Sequence, residues 1–278
     1  MMRSKAVRRF LSHPLAVVGL LVLLLLLMMA FLGPVMVPYS PEKTDFDALQ
    51  RPPSQKHLFG TDELGRDVLA RVIFGARISL TAGLVSVFVA LVFGGAIGLV
   101  AGYYGGNFDR VLMRLMDAML AFPFLVLAIA LAAVLGPSLQ NTMLAIAVVT
   151  LPIFARIVRG QVLTEKTREY VQAARAIGAK DWSILIRHLV PNIAGPLIVQ
   201  TSLSTANAIL AEATLSFLGL GVQPPTPSWG SMLNAARGYL AYAPWMSLFP
   251  GVAIFLAVFA FNLIGDGLRD AFDPRLNR

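Results

Sequence analysis

Leu15 to Val37 read LAVVGLLVLLLLLMMAFLGPVMV, 23 residues without a single charge. Coiled into an α-helix, such a run is about 35 Å long at 1.5 Å per residue, against a bilayer hydrocarbon core of about 30 Å. The run dictates a membrane span. Four basic residues precede it, Arg3, Lys5, Arg8 and Arg9, as they would in a secretory signal. It exceeds the roughly 7–15 apolar residues of such a signal, and no small-residue cleavage pattern follows. The sequence is therefore read as keeping this span.

The rest of the chain agrees. Of 278 residues, 57% are hydrophobic and 14% charged, where an ordinary soluble domain carries roughly 25% charged residues. After Arg77 the next charge is Asp109, which places span 2 at 78–103. Its glycines at 83, 94, 95, 98 and 102 suit close helix packing in lipid. Ala118 to Ala155 carry no charge. That stretch is too long for one span, and GPSLQNT at 136–142 supplies a turn, so a helical hairpin of spans 3 and 4 is expected. Spans 5 and 6 follow at 193–219 and 246–265. The expected fold is all-α, a polytopic membrane protein of six transmembrane helices. Its parts are an N-terminal segment 1–14, span 1 at 15–37, an outer segment 38–77, a five-helix core 78–265 and a tail 266–278. The outer segment ends in an interfacial helix, with Val68, Leu69, Val72 and Ile73 on one face and Asp67 spaced to pair with Arg71. With both termini inside, the inner segments hold 16 Lys and Arg and the outer ones 7. The positive-inside rule thus puts the termini and residues 160–191 in the cytoplasm.

That inner segment contains EYVQAARAIGAKDWSILIRHLVPN, residues 169 to 192. Tyr170, Ala173, Ala174 and Ile177 recur at helical spacing, with Arg168, Gln172 and Arg175 opposite. Gly178 is placed to end the helix in a left-handed conformation, and Asp181 to cap a second one. In that second arm Ile184, Leu185, His188 and Leu189 share a side, Ser183 and Arg187 the other, and Pro191 is expected to close it. The pattern is a helix–glycine–helix elbow. On periodicity alone it fits a hairpin lying on lipid headgroups or a knob that docks into a partner.

This stretch resembles the EAA loop of the permease subunits of bacterial ATP-binding-cassette importers. The family pattern is E-A-A, three residues, Gly, nine residues, I-x-L-P. Here Gln172, Ala173, Ala174, Gly178 and Pro191 fall on it, while Gln172 stands for the acid, His188 for Ile and Val190 for Leu. The blocks HLFGTDELGRDVLARVIFGARISL, EATLSFLGLGVQPPTPSWGSMLNAAR and NLIGDGLRDAFDPRL further resemble the second permease subunit of dipeptide, oligopeptide and nickel importers. The resemblance runs nearly the whole chain. It implies a coupling helix that docks on an ATPase, with Gln172, Ala173, Ala174, Arg175, Gly178, Ala179, Asp181, Arg187 and Pro191 as the docking residues. It also implies a second homologous permease, two ATPase subunits carrying ATP and Mg, an extracytoplasmic substrate-binding protein, and peptides as cargo, with nickel chelates or another small solute as the alternative.

The chemistry of the chain itself is sparse. None of its five lysines follows a glycine, so the Gly-Lys-Ser/Thr of a phosphate-binding loop is missing and no ATP is expected to bind here. There is no cysteine. His13, His57 and His188 lie far apart in sequence, so no metal motif stands out, and no paired acids or nucleophile–base set points to an enzyme. Nor is a stand-alone channel or ion-coupled carrier favoured, since such proteins carry acids or histidines deep in their spans. Glu212 is the one acid well inside a span, about 27 Å along span 5, and it is a gate candidate beside an interfacial structural role. Pro123 and Pro152 interrupt spans 3 and 4 and either shape a pathway or kink the packing. Trp229, Tyr239, Tyr242 and Trp245 read as an aromatic belt, and His57 as structural or solvated.

Overall fold

The computed structural model describes residues 8–272, all helices and connecting loops with no β-strand among the described residues. In chain order the helices are α1 (Pro14–Met36), α2 (Val68–Tyr104), α3 (Gly106–Leu120), α4 (Phe124–Leu135), α5 (Leu139–Glu165), α6 (Glu169–Ala176), α7 (Asp181–Phe217), α8 (Trp229–Ala236) and α9 (Trp245–Phe272). Five of them, α1, α2, α5, α7 and α9, are long and apolar enough to cross a membrane, and a sixth span results if α3 and α4 count as one.

α1 begins where His13 Nδ1 accepts from the Ala16 N–H at 3.3 Å and Pro14 occupies the first turn, a position that loses no hydrogen bond. One face packs on α9, with Gly19 against Leu263 and Ala16 against Gly267. Leu21, Leu25 and Phe31 point outward, each more than half exposed, as side chains facing lipid would. The densest packing joins α2 to α5. Gly94, Gly98 and Gly102 repeat every four residues and pack closely on Leu151, Ala155 and Val162, with no room for a Cβ at the first two. Gly83 does the same against Ile209 of α7. Ser202 of α7 donates to the Phe261 carbonyl of α9 at 2.8 Å.

Four expectations need correction. The interfacial helix ahead of span 2 is no separate element. α2 runs unbroken from Val68, and Asp67 caps it by accepting from Ala70 N–H at 2.7 Å. Asp67 therefore does not pair with Arg71, which turns to Asp62 at 3.3 Å. Second, 118–155 is not a plain hairpin. Ala118 to Leu120 finish the amphipathic α3, and α4 leaves it at 93°. Pro123 has no N–H to donate and disfavours helix at the residue before it, so the helix breaks there instead of kinking. Third, Pro191 does not close the second arm. α7 continues through it by widening to a π-turn over Ile184–Leu189, whose last bond joins Val190 N–H to the Leu185 carbonyl. The wider turn moves the Arg187 carbonyl away from the proline ring, which would otherwise clash with it. Fourth, Trp229 is no belt residue. It is fully buried and donates to the Val72 carbonyl at 3.0 Å.

Residues 38–67 fold as a cap over one end of the bundle. Buried Asp62 holds Arg66 at 2.7 Å, Arg66 reaches Glu63 at 2.6 Å, and Arg71 donates to the Pro41 carbonyl at 2.9 Å. His57 is structural: its Nδ1 sits 2.9 Å from Asp67 in a buried pair. Half-buried Trp245 donates to the Thr61 carbonyl at 3.1 Å, and Phe59 stacks on Phe249. The cap is thereby fixed to α2 and α9.

Candidate functional site

The elbow lies at the end of the bundle opposite the cap. α6 presents Val171 and Ala174 inward, and the second arm adds Ile184, Leu185 and Leu189. Together they pack on Tyr103, Val158 and Val162. The buried stripe is thus one step removed from the expected one. Ala174 is inside, but Ala173 is exposed, Tyr170 is half-exposed and Ile177 is 85% exposed.

The glycine turn is a Schellman motif. Ala179 N–H donates to the Ala174 carbonyl and Gly178 N–H to the Arg175 carbonyl, both at 3.0 Å, with Gly178 at φ +77°. Ala179 covers the motif from the apolar side. Gln172 donates its amide to the Thr167 carbonyl at 3.1 Å, a bond that an acid at this position could not make. Asp181 is not the cap but the first helical residue. It accepts from the Tyr103 hydroxyl at 2.5 Å, and Arg175 lies over the face of the same ring, 5.1 Å from its centroid, a cation–π contact. Lys166 donates to the Gly102 carbonyl at 2.7 Å and satisfies the free carbonyl end of α2. Asp109 takes Arg159 in a two-pronged pair at 2.5 and 2.6 Å, locking α3 to α5. Tyr170 donates to Glu165 at 2.8 Å; burial, and then that carboxylate, push its hydroxyl up to about 12, so it remains a donor at any physiological pH.

What the elbow leaves outside is equally definite. Ile177, Trp182 at 71% exposure and Ile186 stand free, framed by Arg175, Lys180 and Arg187. Trp182 escaped the sequence reading. Its signal was a large aromatic off the apolar stripe of an amphipathic arm.

A second feature sits at mid-bundle. A cleft of about 540 Å³ opens between α4, α5 and α7, lined by Pro123, Phe124, Thr150, Ile153, Ser204 and Asn207 among others. Pro123 belongs to it. Pro152 does not: it is buried in α5 beside Ile153. Glu212 is elsewhere again, fully buried, accepting from the Ser216 hydroxyl at 2.7 Å with Ser79 and Ser228 adjoining. It lies where α7 meets α2 and the start of α8.

Residues 94–278 match the family of binding-protein-dependent transport system inner membrane components. The chain belongs to this family. The match takes in both the elbow and the cleft of this permease, and residues 2–53 match the N-terminal transmembrane domain of oligopeptide transport permease C. Among its relatives are the glutathione transport system permease protein GsiD of Pectobacterium atrosepticum, 48% identical over 97% of this chain and 90% of that one. The dipeptide transport system permease protein DppC of Alkalihalophilus pseudofirmus is 46% identical over 98% and 90%. In fold, the permease is similar to a chain of the methionine transporter MetNI in an inward-facing form, with TM-score 0.60 and 20% identity over 73% of this chain and 96% of that chain.

Proposed function

We propose that this permease forms half of the translocation pathway of an ATP-driven importer of di- and oligopeptides in a bacterial cytoplasmic membrane. A second homologous permease supplies the other half. Two separate ATPase subunits carry ATP and Mg, and an extracytoplasmic binding protein delivers the cargo. The dipeptide and glutathione permeases similar to it over nearly their whole length support the cargo class. The excess of Lys and Arg on the elbow side supports cytoplasmic termini.

The observation that carries the reading is the elbow. Its inner face is welded to the bundle by Val171, Ala174, Ile184 and Leu189, while its tip offers Ile177 and Trp182 to a partner. A knob held this stiffly moves as one body with what it touches. Closure of the ATPases then reaches α2 through the Asp181–Tyr103 bond and the Arg175–Tyr103 contact, and biases a helix bundle between two arrangements.

The test is Gly178→Pro. Proline fixes φ near −65° and has no N–H, whereas the turn needs φ +77° and the bond to Arg175. The variant is expected to insert at normal levels yet take up no labelled dipeptide in the assembled complex. Normal uptake by it would reject the docking role.

A further inference from the structure

Asn207 is an exposed polar side chain well inside a span. It sits 26 residues into α7 and lines the cleft one turn from Ser204, across from Thr150 and Ile153, which lie close to the midpoint of the 27-residue α5. The other hydroxyls there are engaged within their own helices: Thr150 donates to the Ile146 carbonyl at 2.7 Å, and Ser204 accepts from Gln200 at 3.0 Å. Among the described residues the Asn207 amide has no hydrogen-bond partner, and nothing charged lines the cleft. Hydrocarbon cannot satisfy such a group, and leaving it unpaired there costs several kcal/mol. Whatever fills the cleft must therefore bring hydrogen-bonding groups, and with no charged side chain in the lining nothing there pairs with an ionised group.

We infer that Asn207 is a cargo-contacting residue that reads the main-chain amide of a peptide, not its charges. A carboxamide offers N–H donors and a carbonyl acceptor together, and a peptide group offers the reciprocal pair. The cleft volume lies in the ordinary range of small-molecule sites, about 300–1,000 Å³. Phe124, Leu125, Ile153 and Leu210 give the side chains of the cargo an apolar wall without selecting among them. This site rests on the importer reading above and adds to it the chemical group that the pathway recognises.

The experiment uses the complete complex, with its second permease, ATPases and binding protein, in liposomes. Labelled Ala-Ala, Lys-Lys and Glu-Glu are the probes. Asn207→Leu is expected to lower uptake efficiency about tenfold for all three alike, as the loss of one hydrogen bond would, while ATP hydrolysis still responds to the loaded binding protein. Asn207→Asp is expected to shift preference toward Lys-Lys over Glu-Glu by about tenfold. In Asn207→Cys, a membrane-impermeant thiol reagent should react, and Ala-Ala should slow that reaction. Unchanged uptake by Asn207→Leu, or a fall confined to one charge class, overturns the inference. So does a thiol blocked whether or not peptide is present, which would make this face a permease–permease contact. If the unaltered complex carries none of the three peptides, the cargo reading itself fails and takes this inference with it. If it carries them and Asn207→Leu does too, only this inference fails.

Discussion

The α2–α5 crossing provides a matched pair of substitutions within one helix. A Cβ added at Gly98 would run into the Ala155 carbonyl oxygen and the Val158 Cβ, whereas one added at Gly95 meets only a Val158 methyl at 3.9 Å, an ordinary contact. The two share a helix, a depth and a residue type. Helix propensity favours alanine over glycine by about 1 kcal/mol at either site. Overpacking costs typically about 1–3 kcal/mol, and at Gly98 the obstacle includes backbone, which cannot rotate aside. Gly98→Ala should therefore lose up to about 2 kcal/mol net, while Gly95→Ala gains up to about 1 kcal/mol. At roughly 2–4 °C per kcal/mol for a chain of this size, the overpacking difference of about 1–3 kcal/mol should separate the thermal melting of the two variants in the detergent-solubilised complex by about 2–12 °C. The double change Gly94→Ala with Gly98→Ala should cost less than the sum of its parts, because once α2 has moved off α5 the second methyl finds room. Identical melting of Gly95→Ala and Gly98→Ala would show that the helices do not touch here as described.

Two further outcomes follow from the elbow and from the buried acid. Trp182→Ala removes a ring that is 71% exposed, so permease stability should stay within about 0.5 kcal/mol. If the ring is an interface anchor worth about 2 kcal/mol, ATPase affinity for the permease in nanodiscs should fall about thirtyfold, and unchanged affinity would remove Trp182 from the interface. Glu212→Gln keeps an oxygen that can accept from Ser216 and lies outside the cleft. Uptake rate and peptide selectivity should both hold, and a change in either would return Glu212 to the gate.

What could be read from the sequence was what short-range rules decide. The run at Leu15–Val37 could only be a span, and a glycine after an amphipathic stretch, followed by a second such stretch, could only be a turn. Gly178 sits at positive φ for that reason. The phase of α6 was not legible. Its eight residues make about two turns, in which Tyr170–Ala173–Ala174–Ile177 and Val171–Ala174 are nearly equal stripes. Packing against Val158 and Val162, both earlier in the chain on α5, chose the second. Trp229 was misplaced for a similar reason. Nothing near it in sequence reveals that the Val72 carbonyl, 157 positions earlier, waits for its N–H. Pro191 misled because a proline usually stops a helix, and a π-turn ahead of it is a remedy that only coordinates reveal. Asn207 was passed over among alanines. A neutral polar residue in a span carries the same warning as an acid, more quietly.

α2 brings these parts into one mechanical argument. It is 37 residues long, about 55 Å, and so reaches from the elbow to the cap. At one end Tyr103 holds Asp181 and Arg175, and Lys166 holds the terminal carbonyls. At the other, Arg71 is tied to Asp62 and to the Pro41 carbonyl, and Asp67 to His57. Between them its glycines lock it to α5 and α7. α5 contains the internal proline Pro152, α7 contains Pro191 and Pro196, and α9 contains Pro250, and prolines are where long helices bend. α2 has none. A displacement at the elbow therefore meets no proline hinge along α2, and its glycine pair Gly94–Gly95 is held where Gly94 packs on the Leu151 carbonyl. It must either tilt the whole helix and carry the cap with it, or slide α2 along the glycine seam with α5.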